Sequence, residues 1–264
     1  MISSDHESFN YIIPQTLLAL PFLFGLIFYI SAVVISNQRY RKWPLYRIIY
    51  GTAGILCAII AVAGPLADLG HTNFIAHMLS HLLLGMLAPL LIALSAPMTL
   101  LLRTIPITLA RRFTYILKSR PVRVINDPSI TSLLNIGGLW ILYTTNLYSM
   151  MHGNTVFHLF IHIHIFIAGY LFTISMIFID PVPHRTSYMY RSIIFVIALA
   201  GHGILSKYIY ANPPAHVPAA QAETGGMIMY YGGDAIDIIL IFILCLHWFK
   251  SAGSRAFVRT TASK

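Results

Sequence analysis

FIAHMLSHLLLGMLAPLLIALSAPMTLLL, residues 74–102, holds no Asp, Glu, Lys or Arg. A bilayer core takes about 20 apolar residues to cross as a helix. The stretch is long enough to cross with residues to spare. Pro89 and Pro97 inside it predict a kink or an early exit. The only ionisable groups in it are His77 and His81. A helix places residues i and i+4 on one face, so both imidazoles can aim at one point. Histidine inside a spanning segment is rare and is a functional-site hypothesis by default.

The rest of the chain reads the same way. It is 57% hydrophobic and 9% charged, with mean hydropathy +0.74. A soluble domain of 264 residues cannot hide that much apolar surface. The composition predicts an all-α, polytopic membrane protein built as a single domain over residues 1–264. Seven apolar stretches are expected to span, near 11–35, 46–64, 74–102, 129–150, 155–179, 189–211 and 227–249. The N-terminal MISSDHESFN lacks the basic start of a cleaved signal, so the first stretch reads as a retained span.

Charge supports the count. All but one of the 17 lysines and arginines fall in 36–47, 103–127, 180–191 and the tail. Seven spans put these four regions on one side. The positive-inside rule makes that side cytoplasmic, with the N-terminus outside. Lys207 is the exception. The net charge of +9 therefore reflects membrane topology and does not indicate nucleic-acid binding. Cys57 and Cys245 form no paired motif and are uninformative. ITLARRFTYILK, residues 107–118, reads as a short basic surface helix. NPPAHVPAAQAETGG, residues 212–226, reads as an irregular outer loop.

A second pair, His158 and His162, repeats the i, i+4 spacing. The expected topology brings both pairs, His202 and the carboxylates Asp234 and Asp237 to a similar depth in the outer half. Ionisable groups are costly in hydrocarbon, so their gathering at one depth favours a shared cavity. Imidazole suits copper and zinc, and thioether favours Cu(I). The expected ligands are His77, His81, His158, His162, His202 and Asp234, with Asp237 supporting a ligand. His71, Met150, Met151, His152 and His216 in outer loops are candidate receivers of an incoming ion. A single membrane histidine more often glues helices together, and most of the ten methionines are packing.

At these residues the chain resembles the CtaG family of cytochrome c oxidase assembly factors. The matching elements are GPLADLG (64–70), HMLSHLLLGMLAPLLIALSAPMTLLLR (77–103), the His158/His162 pair and QAETGGMIMYYGGD (221–234). Ile161 stands where many members carry an acid, Tyr230 where they carry Trp, and TTNLY (144–148) lacks a family histidine. The resemblance implies a non-enzymatic factor of the bacterial plasma membrane. It also implies copper delivery to cytochrome c oxidase subunits. Zinc or haem are lesser candidates. Two other readings of the same histidines are a membrane cytochrome with axial imidazoles and an ion or proton transporter. No matching polar chain continues to the cytoplasmic side, which weakens the transporter.

Overall fold

The computed structural model describes the backbone of residues 2–181 and 184–262 and the side chains of 13–181 and 184–252. Arg255, Arg259 and Lys264 of the basic tail lie outside the described side chains. The chain is all-helical among the described residues. Among the described residues, six helices are long and apolar enough to cross a membrane: Ile13–Arg39, Leu45–Val62, Phe74–Leu94, Thr155–Met176, Tyr188–Ala211 and Ala219–Ala252. They belong to α1 (Ile2–Arg39), α2 (Leu45–Val62), α4 (Phe74–Leu94), α10 (Thr155–Met176), α11 (Tyr188–Ala211) and α12 (Ala219–Ala262). Between them run α3 (Pro65–Thr72), α5 (Pro97–Thr104), α6 (Ile107–Leu117), α7 (Arg120–Ile125), α8 (128–144) and α9 (Leu147–Gly153).

Two expectations change and one is met. The segment expected to span at 129–150 is the shorter α8, which stops at Thr144; the chain breaks at Thr145–Asn146 and restarts as α9. Thr144 and Thr145 bond back to the carbonyls of Trp140 and Ile141, at 2.6 Å each, and help end the helix. The segment 74–102 exits early, as its prolines predict, at Ser95–Ala96, where Ala96 takes φ +53° and Pro97 starts α5. The loop expected at 212–226 is irregular only to residue 218, and 219–226 opens α12. The run AAQAE supplies good helix formers there. The basic segment at 107–118 forms a helix, as expected.

Sequence chemistry explains how the elements start. Asn73 accepts hydrogen bonds from the amides of Ile75 and Ala76 and caps α4. Asn154 does the same for Val156 and Phe157 at the start of α10. Asp180 caps α5 through the amides of Met98 and Thr99. Gly64 takes φ +85° at the turn from α2 into α3, a conformation open to glycine. Gln15 of α1 then holds α3 in place. Its amide donates to Asp68 at 2.7 Å, and its carbonyl accepts from the Gly64 amide at 3.3 Å.

α10 packs against α1, α4, α8 and α9. Its closest approach is to α4, where a Cβ at Gly169 would overlap the carbonyl oxygen of Gly85. Two helices carry a π-helical turn, Leu83–Leu87 in α4 and Leu133–Gly137 in α8. One apolar core holds Met78, Leu84, Tyr143, Met151 and Met229. A second core holds Leu90, Phe172, Met176 and Phe195. Arg191 is 1% exposed and donates to the Met176 carbonyl at the end of α10.

Candidate functional site

Each histidine pair begins four residues after an asparagine cap: Asn73, His77, His81 on α4 and Asn154, His158, His162 on α10. The cap fixes where each helix starts and therefore at what height each imidazole stands. The repeated spacing N-x-x-x-H-x-x-x-H is a signal that the histidine spacing alone does not reveal.

The structure divides the expected residues between two cavities. The one nearer the asparagine-capped starts of α4 and α10, termed outer for that position, is about 20 Å³ and is lined by His71, His77, His152, His158 and His162 with Gly70, Ser80 and Met151. That is room for a single water-sized occupant. The rings of His158 and His162 stack at 4.1 Å between centroids, His71 stacks on His158 at 5.1 Å, and His152 lies 6.2 Å from both His71 and His77. His71 and His152, expected only as loop residues above the site, are brought into it by α3 and α9.

Hydrogen bonds orient part of this cluster. A carbonyl only accepts, so the 2.9 Å contacts of His162 Nδ1 with the His158 carbonyl and of His152 Nδ1 with the Tyr148 carbonyl make both Nδ1 atoms donors. With Nδ1 the donor, the lone pair of a neutral ring sits on Nε2. His77 Nε2 meets the Tyr143 hydroxyl at 3.0 Å. Tyr148 packs edge-on against His77 and His152. Burial lowers the pKa of His71, the neighbouring His152 imidazole lowers it further, and Asp68 opposes them. His71 is thus held neutral, the form that binds metals.

The inner cavity, also about 20 Å³, is lined by His81, His202 and Asp237 with Met86, Asn135 and Thr173, among apolar neighbours. His81 is 4% exposed, and neither of its ring nitrogens has a hydrogen-bond partner. Nε2 of the buried His202 also has none. Asp237, expected in a supporting role, lines this cavity, whereas Asp234 lines neither of the two. His216 lines neither as well. His164 faces α8, where its Nε2 donates to the Leu134 carbonyl. Among the described residues, no three His, Cys, Asp or Glu side chains stand arranged to hold one metal ion. The outer group is therefore a set of rings in contact rather than a finished coordination shell.

A multi-helix membrane protein with buried, clustered imidazoles is the class that fold and site define. Within that class, a family model described as "Cytochrome c oxidase caa3 assembly factor" matches residues 27–251. The chain belongs to this Caa3_CtaG family. It is 30% identical over 167 residues to uncharacterized proteins of Mycobacterium bovis and Mycobacterium tuberculosis, covering 61% of this chain and 25% of each relative. It is 26% identical over 242 residues to an uncharacterized protein of Mycobacterium leprae, covering 83% of this chain and 37% of the relative. The chain thus spans about a quarter to a little over a third of the curated relatives it matches. No solved structure matches it. Helical multi-pass proteins with bacterial relatives reside in the plasma membrane, since outer-membrane spans are β-barrels.

Proposed function

We propose that the chain serves cytochrome c oxidase assembly by taking copper at the outer imidazole cluster and passing it to an oxidase subunit, without catalysing a reaction. The observation that carries this reading is the convergence of His71, His77, His152, His158 and His162 on one ion-sized cavity. The side chains lining it include five imidazoles and no carboxylate or thiol. Neutral imidazoles suit copper far better than magnesium or calcium, and Met151 adds a thioether at the wall. The Nδ1–H bonds of His152 and His162 pre-set the tautomer that a metal ligand needs. A cavity this small favours a single ion over a haem macrocycle. Closing a coordination shell requires the rings to turn inward from their stacked positions.

The reading includes an orientation. With α8 as a seventh crossing, the N-terminus lies outside, the C-terminus lies inside, and the basic segments share the cytoplasmic face. The cluster then opens near the outer surface.

The test is copper content by mass spectrometry on detergent-purified protein after copper loading. The comparison is wild type against the double variant His77→Ala/His158→Ala, with helicity and monodispersity as the folding check. The expected result is copper bound at the cluster by wild type, about one equivalent of which the folded variant loses. No copper in wild type, or equal copper in both, overturns the proposal.

A further inference from the structure

The inner cavity is not a continuation of the outer cluster. It has different walls, different chemistry and a different structural origin. Both π-helical turns supply its lining: Gly85 and Met86 from Leu83–Leu87, Asn135 and Ile136 from Leu133–Gly137. A π turn widens a helix locally and such turns are frequent at functional sites. α11 contributes His202, whose ring lies so close on Gly233 of α12 that a Cβ there would overlap it. Asp237 stands one turn further along α12 and is 4% exposed.

Buried polar atoms are nearly always hydrogen-bonded, and leaving one without a partner costs about 1–3 kcal/mol. This cavity concentrates three such nitrogens, two on His81 and one on His202. Helix packing does not require that. A helix-gluing histidine would have found an acceptor, as His164 does at Leu134. The unpartnered nitrogens instead face a space that admits one small occupant.

We infer that this cavity is a second, deeper copper station, in which His81, His202 and the thioether of Met86 take Cu(I) while Asp237 balances its charge. The inference rests on the copper reading of the outer cluster. The donor set selects the ion. Among the described residues, no three His or Asp side chains stand ready for a divalent ion such as zinc, whereas two imidazoles and a thioether match the preference of Cu(I) for few, soft ligands. Because His81 makes no hydrogen bond, its ring can turn onto the ion without breaking one. Four residues along α4 separate the two stations, about 6 Å of rise. Tyr143 lies between them: its hydroxyl bonds His77, and its ring centroid is 6.3 Å from that of His81.

The experiment loads full-length protein in detergent with Cu(I) under reductant and counts bound copper. Wild type is expected to bind two equivalents and His77→Ala/His158→Ala one. X-ray absorption of that remaining copper should show a sulfur neighbour, which Met86→Leu removes while weakening the site roughly tenfold or more. Excess Zn²⁺ should not displace it. Adding His81→Ala and His202→Ala should abolish it. Wild type with a single equivalent that His77→Ala/His158→Ala removes overturns the deeper station and leaves the outer reading standing. A second equivalent that survives His81→Ala/His202→Ala, or that zinc displaces, overturns the assignment of its ligands. Wild type with no copper defeats both readings.

Discussion

The outer cluster and the inner cavity hold histidines from the same helix, yet treat them differently. In the outer one, His77 is held by Tyr143, and His152 and His162 are held by backbone carbonyls. In the inner one, His81 has no partner and His202 has a free Nε2. Three of the outer rings are oriented in advance, although His158 Nδ1 has no partner; the inner ones are not. Pre-orientation lowers the entropy lost on binding. It also means that the outer group needs only modest ring rotation to act, whereas the inner group gains its order from whatever it binds. The difference lies in the neighbours and not in distance from the caps, since His81 and His162 each stand eight residues after an asparagine cap. His77 meets the Tyr143 hydroxyl, and His152 and His162 turn back onto the carbonyl one turn before them, whereas the apolar walls around His81 offer its ring no partner.

The comparison breaks most completely if the two helices carrying the pairs are pushed apart. Gly169→Ala places a methyl group against the Gly85 backbone. Alanine gains up to about 1 kcal/mol of helix propensity, but the overlap has no flexible side chain to absorb it. A net loss of about 2–3 kcal/mol is expected, with both copper sites weakened. Thermal unfolding in detergent and copper counting check this; an unchanged midpoint would show that the α4–α10 contact does not set the geometry.

Acid should separate the oriented cluster from its metal. His71 has its pKa below the ordinary 6.5, so its ring stays neutral down to that value and somewhat beyond. Protons compete with the metal only as the pH falls through the lowered pKa. The sign for folding agrees: below 6.5 the unfolded chain takes up a proton that folded His71 resists, so stability also declines in acid. Outer-site affinity is expected to hold through the ordinary imidazole range and to fall only in stronger acid, measured by chelator competition from about pH 7 downward. Affinity already lost above pH 6.5 would remove neutral imidazoles from the account.

The smallest effect sharpens the contrast. Tyr143→Phe deletes the hydroxyl on His77 and leaves its Nε2 without that partner. Stability should fall by about 1 kcal/mol, and outer-site copper should bind more weakly while the inner equivalent is unchanged. Equal weakening of both sites would mean that Tyr143 acts as packing between them rather than as the orienting group of His77.

Much of this was legible in the residues. The apolar run from Phe74 to Leu94 and the early exit before Pro97 follow from composition and proline chemistry. The i, i+4 histidines share helix faces as their spacing requires. What the spacing cannot carry is which neighbour each face meets. Four residues turn a helix by about 40° beyond a full circle, so His77 and His81 drift apart on the face and reach different partners. His71 looked like a loop residue because the folding-in of α3 depends on Gln15, which lies 53 residues before its partner Asp68. The opening of α12 at Ala219 was hidden by the neighbouring prolines. Its Gly225 and Gly226 lie against Phe74 and the Ser206 carbonyl, where a Cβ would not fit. Those glycines serve helix packing, although in sequence they resemble a loop.

The π turn at Leu83–Leu87 has a consequence for the phase of α4. A π turn closes its ring one residue later than an α turn, so everything after it is displaced by one residue step, about 100° of rotation. His77 and His81 are written in one register, and Ala88–Leu94 in another. A helical wheel drawn through the whole of Phe74–Leu94 therefore assigns the second half to the wrong direction. The two halves of a single apparent span are independent in angle, and a sequence change that removed the extra residue would rotate one half against the other while leaving every residue type in place.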